Sequence, residues 1–160
     1  MNKIISILLY MGIAIGLLSC SDETYQPVSL QSNQTSLCKN NIPVVPSIKN
    51  TNSWMSEEGE YFKYEATKDG GLTLTHVNAI FSCNLDSVTT SVTSNANNIS
   101  IKENVYDPAN TNCVCPYDIT TKLTGFTKGT YTITITTQFG QVHQITFDYS
   151  ASLSGKKSIL

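Results

Sequence analysis

Thr130-Tyr131-Thr132-Ile133-Thr134-Ile135-Thr136-Thr137-Gln138-Phe139-Gly140-Gln141-Val142-His143-Gln144-Ile145-Thr146-Phe147-Asp148-Tyr149 decides the fold class. Tyr131, Ile133 and Ile135 recur at every second position, with Thr130, Thr132, Thr134 and Thr136 between them. After a turn at Gln138-Phe139-Gly140, the apolar residues Val142, Ile145, Phe147 and Tyr149 return. A period of two built from β-branched and aromatic residues describes a half-buried strand, and a short glycine-containing turn between two such runs describes a hairpin. One face of this hairpin is expected in a core and its threonine face in water.

The same period extends outward along the chain. Phe62, Tyr64 and Ala66 alternate with Lys63, Glu65 and Thr67, the turn Lys68-Asp69-Gly70-Gly71 follows, and an extended pattern resumes from Leu72 to Phe81. Val88, Thr90 and Val92 alternate with small polar residues, and Ile99 and Ile101 open another strand after the turn Asn95 to Asn98. From Cys113 the odd positions run Cys113, Cys115, Tyr117, Ile119, Thr121 and Leu123, which implies one buried face carrying both cysteines. No window after the first twenty residues has a helical stripe. The expected class is all-β, a two-layer antiparallel sandwich of seven or eight strands.

Residues 21 to 50 hold Pro27, Pro43 and Pro46 among Gln, Ser and Asn, with Val44-Val45 as an apolar pair, and read as a tether leading into an edge strand. The expected division is a signal peptide at 1–19, a lipidated cysteine and flexible tether at 20–50, the sandwich at 51–150 and a C-terminal tail at 151–160.

The start of the chain carries Lys3 and an apolar run from Ile4 to Leu18. As a helix this run spans about 22 Å, short of the roughly 30 Å of hydrocarbon that a permanent crossing must match. It fits an export signal. Leu17-Leu18-Ser19-Cys20 resembles the lipobox of bacterial lipoproteins, although Leu18 stands where that family usually has a smaller residue. The resemblance implies that Cys20 is acylated, palmitate among the chains, and becomes the first residue of the mature protein. Ser21-Asp22-Glu23 resembles the short acidic export signal of Bacteroidetes surface lipoproteins. The location so implied is the outer membrane, with the cell surface and the periplasmic side both left open as the face that carries the domain.

With Cys20 given to lipid, Cys38, Cys83, Cys113 and Cys115 remain, an even number in an oxidising compartment. Two disulfides are expected. Cys113 with Cys115 is disfavoured, because alternate residues of one strand lie nearly 7 Å apart with parallel side chains. Cys38 and Cys83 therefore each take one partner from the Cys-x-Cys, and which takes which stays open. A four-thiolate metal site is disfavoured, since neither Cys38 nor Cys83 belongs to a second short ligand pair.

All ten basic residues are lysine and the formal net charge is −2. A chain without arginine lacks the planar fork that grips phosphate bidentately, and this balance gives no basic field, so nucleic acid is excluded as a partner.

Thr124-Gly125-Phe126-Thr127-Lys128-Gly129-Thr130-Tyr131 resembles the turn into the penultimate strand of immunoglobulin-like domains, in which a tyrosine hydroxyl bonds back across the corner. Tyr131 takes that role by resemblance. The chain departs from antibody domains at Ile133, where they have cysteine, and at Trp54, which precedes Cys83. Cys113-Val114-Cys115-Pro116-Tyr117-Asp118 with Gly125 and Gly129-Thr130-Tyr131 is also similar to a group of small Bacteroidetes lipoproteins, over about residues 76 to 149. That similarity implies no activity.

Chemistry is sparse. His76 and His143 each sit in a strand without a second ligand at short spacing, and are expected to face solvent or be hydrogen-bonded rather than hold metal or act in catalysis. No serine occupies a Gly-x-Ser-x-Gly elbow. Glu57, Glu58 and Glu60 read as a solvated acidic turn, and Asp107-Pro108-Ala109-Asn110-Thr111-Asn112 as an Asx-rich turn. Asp86-Ser87-Val88 matches the acceptor pattern of Bacteroidetes O-glycosylation, which marks Ser87. Trp54, Tyr61 and Tyr106 are candidates for stacking on sugar rings. The expected function is a lipid-anchored binding module for a glycan or surface protein, without cofactor or catalysis. The alternative is an accessory subunit of an outer-membrane surface complex.

Overall fold

The computed structural model describes residues 26–39, 59–106 and 113–159. Nine strands, where seven or eight are expected, form two sheets, and no helix occurs among the described residues. The strands are β1 (Ser29–Thr35), β2 (Tyr61–Ala66), β3 (Leu72–Ser82), β4 (Ser87–Asn95), β5 (Asn98–Tyr106), β6 (Val114–Thr124), β7 (Gly129–Thr136), β8 (Val142–Tyr149) and β9 (Ser154–Ser158). One sheet runs β1-β6-β3-β2-β9 and the other β4-β5-β7-β8. Their inner faces meet in a sandwich-like core.

Three expectations change. The layers are not wholly antiparallel, because β5 lies parallel to β7 with Ile99 opposite Ile133 and Ile101 opposite Ile135. The tether region contains β1, a polar strand paired along β6 and preceded by buried Val28. The C-terminal tail contains β9, paired along β2. Both additions are edge strands with mostly exposed side chains, so apolar alternation could not reveal them.

The hairpin chemistry follows local rules. At the β7–β8 turn, Thr137 N–H donates to Gln141 O (2.9 Å) and Gly140 N–H to Thr137 O (3.0 Å), with Gly140 at φ +74. In β3 the register to β6 slips between His76 and Ala79, where Asn78 takes φ +58. This bulge changes the phase of the strand. Leu72, Leu74 and His76 point inward before it, and Ala79 and Phe81 after it.

The core is divided. A larger apolar cluster includes Phe62, Leu72, Ile99, Ile133, Phe126, Tyr131, Phe147 and Tyr149, and a smaller one comprises Ala79, Phe81, Val88, Cys115, Tyr117 and Ile119. Between them each crossing strand contributes a buried polar side chain on its inner face: His76 from β3, Thr90 from β4, Glu103 from β5 and Thr121 from β6. Register aligns this belt, since Thr90 lies opposite Glu103 and Thr121 opposite Asn33 of β1. The Asn33 amide nitrogen donates to Val88 O (2.6 Å), and its oxygen accepts from Thr90 (2.9 Å) and Thr121 (3.2 Å).

Candidate functional site

Two places concentrate the chemistry, one at the rim of the smaller cluster and one in the polar belt. At the rim, Cys38 bonds to Cys115 and Cys83 to Cys113, with Cα atoms 5.7 and 5.4 Å apart. This selects one of the two pairings left open by the sequence. Cys115 follows Val114 into β6 with its side chain buried, so it takes the partner arriving from β1, while Cys113 meets the end of β3. Cys83 N–H also donates to Cys113 O (3.0 Å).

Beside the bridges lies a hollow of about 440 Å³ lined by Thr35, Leu37, Cys38, Leu85, Asp86 and Tyr117 among others. Leu37 stands 90% exposed at its edge. The Tyr117 hydroxyl donates toward Ser82 O and Cys83 O (3.0 and 3.2 Å), which fixes the aromatic floor. Tyr106, 62% exposed, is close by: Asp86 N–H donates to its carbonyl (3.3 Å), and Ser87 pairs with it across β4 and β5. The structure thus brings together Tyr106, Ser87 and all four bridged cysteines at one end. Tyr61 is elsewhere, half-buried on β2 with Lys156 Nζ 5.6 Å from its ring centre. Trp54, Cys20, Glu57, Glu58 and the 107–112 turn lie outside the described residues.

Tyr131 is 3% exposed, and its hydroxyl accepts from Thr127 N–H at 3.1 Å. The bond spans the turn into β7.

The polar belt contains the group that sequence reasoning undervalued. His76 is 3% exposed and takes the hydrogen-bonded one of its two expected placements. Its Nδ1 lies 2.9 and 3.1 Å from the two carboxylate oxygens of Glu103, and its Nε2 lies 2.7 Å from Glu60 Oε1. A neutral imidazole has one donor nitrogen, so two carboxylate partners favour the doubly protonated ring. Burial works against that charge, but hydrogen bonds and attraction from Glu103 and Glu60 outweigh it and raise the pKa to about 9. Glu60 is therefore an ion-pair partner rather than part of a freely solvated turn.

A cavity of about 110 Å³ adjoins this pair, lined by Glu60, His76, Phe81, Thr137, Phe139 and Gln141 among others. The Thr137 hydroxyl and His143 Nε2 are buried without a hydrogen-bond partner. His76 has both nitrogens committed to carboxylates, which leaves neither lone pair for a metal or a substrate proton. Among the described residues no cluster of His, Cys, Asp and Glu is arranged to hold a metal ion. The one signal available in sequence was a histidine on the apolar face of β3 and a glutamate on the apolar face of β5. Nothing local joined them.

No protein family, curated protein or solved structure matches this chain.

Proposed function

We propose that this chain is a lipid-anchored, non-catalytic interaction module of immunoglobulin-like architecture, held outside the cytoplasm on the outer membrane and working through the disulfide-stapled end. The observation that carries the reading is the cysteine count: four of five cysteines close into two bridges, which leaves Cys20, within the lipobox-like segment, for lipid. The hollow beside those bridges, with exposed Leu37 and neighbouring Tyr106, is a concave surface suited to a surface protein or glycan.

Mass spectrometry of the membrane fraction tests the anchor. The expected product starts at an acylated Cys20, and an unmodified Cys20 or a retained Met1 sinks it. Binding is tested separately on glycan arrays and with surface extracts, where Leu37→Asp and Tyr106→Ala should each weaken capture. Unchanged capture by both variants removes the stapled end from the account. The second reading, an assembly subunit, is favoured by β8, which ends its sheet without a further partner strand among the described residues.

A further inference from the structure

Four strand edges bound the two sheets, and three are guarded. β1 carries a register shift between Leu30 and Ser32. β4 is closed by β1, whose Asn33 donates to Val88 O. β9 is five residues long and bears Lys156 and Lys157. Short length, irregularity, lysine and cover are the usual defences of an edge. Among the described residues β8 has none of these: it runs eight residues in unbroken register with β7, without lysine or proline, and its one carboxylate is Asp148.

The hydrogen-bond direction along β8 is fixed by the turn. Because Thr137 bonds to Gln141 and the antiparallel ladder alternates, the odd residues of β8 bond to β7. Val142, Gln144, Thr146 and Asp148 therefore turn their N–H and C=O groups to the open side. Phe139 and Val142, 71% and 62% exposed, stand at the start of that edge.

The facing sheet limits what can pair there. β8 lies over β2, shown by the stacked rings of Tyr64 and Phe147 and by Phe62 against His143, each 5.5 Å between centres. β9 lies beyond β2, so the five-stranded sheet extends one lane past β8. A second copy docking β8 antiparallel to β8, about a two-fold axis normal to the sheet, would place its own β2 where β9 already stands. That occupant is sterically excluded. A single extended segment without a facing sheet fits the lane.

The floor of the lane gives the segment its chemistry. Gly155 and Lys157 pair with Tyr64 and Phe62, which point inward, so they share the inner face of β9. Gly155 is required there because a side chain would run into the Tyr64 ring. Lys157 is exposed. We propose that the lane beside β8 and over β9 takes one extended peptide segment of another protein, paired backbone to backbone with β8 and presenting a carboxylate to Lys157. This inference deepens the assembly reading and rests on it, not on the lipid anchor or the stapled hollow.

The probe is a synthetic peptide of about ten residues alternating valine and threonine, with glutamate replacing a central valine. Added to the full chain, it should slow amide exchange at Gln144 and Thr146 by roughly tenfold or more, while the same peptide N-methylated at alternate positions should not. Thr146→Pro removes an edge-facing N–H outside the β7 ladder, so the variant should fold and lose peptide binding. Lys157→Glu should shift preference to a peptide with lysine in place of glutamate. The proposal is overturned by absent protection at millimolar peptide, or by equal binding of the N-methylated form. Protection of the same amides on concentrating the protein alone would reveal pairing between copies and overturn the steric exclusion. Should Thr146→Pro fail to fold, the N-methylated peptide on the unaltered chain decides. Failure here leaves Cys20 acylation and capture at Leu37 unaffected, so the two readings fall separately.

Discussion

The two halves of the sandwich are held by different means. The cluster around Tyr131, Phe126 and Phe147 buries a network of aromatic rings, with Phe126 4.9 Å from Tyr131 and 5.0 Å from Tyr149, and it has no disulfide. The cluster around Phe81 and Tyr117 is smaller and carries both disulfides. A small core buries too little apolar surface to offset the entropy of its ordered chain, so covalent bracing supplies what packing does not. The half that is braced is also the half with the hollow. Stability not drawn from apolar packing leaves Leu37 and Tyr106 free to stay exposed.

The largest blow to this contrast is reduction. The bridges close loops of 77 and 30 residues in sequence separation, and each should contribute on the order of 4 kcal/mol in the chain-entropy model. Cys38→Ala with Cys115→Ala should lower the urea midpoint and accelerate amide exchange first at Phe81 and Tyr117. Equal acceleration at Ile133 would show the halves to be one cooperative unit.

Next comes the belt that separates them. Glu103 is 4% exposed, and removing it leaves the His76 charge partly uncompensated in the interior. Glu103→Ala should cost about 3 kcal/mol, measured by equilibrium denaturation, because a broken buried ion pair costs more than the intact pair contributes. A loss below about 1 kcal/mol would place the pair in a wet, screened site instead.

The same pair makes stability depend on pH. Below pH 6.5 the imidazole is protonated whether the chain is folded or not, and its contribution is complete. Between 6.5 and about 9 the folded chain keeps a proton that the unfolded chain has released, so stability falls as pH rises. The total is on the order of 3 kcal/mol. Denaturation of the unaltered chain and of His76→Gln across this window should show the slope in the former and its loss in the latter. Identical slopes would locate the titration elsewhere.

The smallest effect is expected in the unbraced half. Tyr131→Phe keeps the ring and deletes the acceptor for Thr127 N–H, which should cost about 1 kcal/mol and leave the stapled end unchanged. A loss several times larger would make the corner a keystone of the aromatic cluster.

Much of this was legible in the residues. The strand runs at 62–66, 72–81 and 131–149 announced themselves because each exposes one face and buries the other. Val142 is exposed because it shares the even, solvent-facing side of β8 with Gln144 and Thr146, out of phase with Ile145. The bulge at Asn78 escaped notice since its signal is only a change of phase within an apolar run. The site was less legible: His76 and Glu103 lie 27 residues apart and on opposite sheets, and neither has a local partner to betray it.

By itself the sequence determined the all-β class, the inward residue of most strands and the exclusion of a Cys113–Cys115 bridge, because alternation and local reach are properties of one strand. The tertiary structure alone decided that Cys38 meets Cys115, that β5 runs parallel to β7, that His76 is clamped between two carboxylates, and that β8 ends its sheet among the described strands. A period of two says which way a side chain points. It carries no information about which strand lies alongside, or about what waits on the facing sheet.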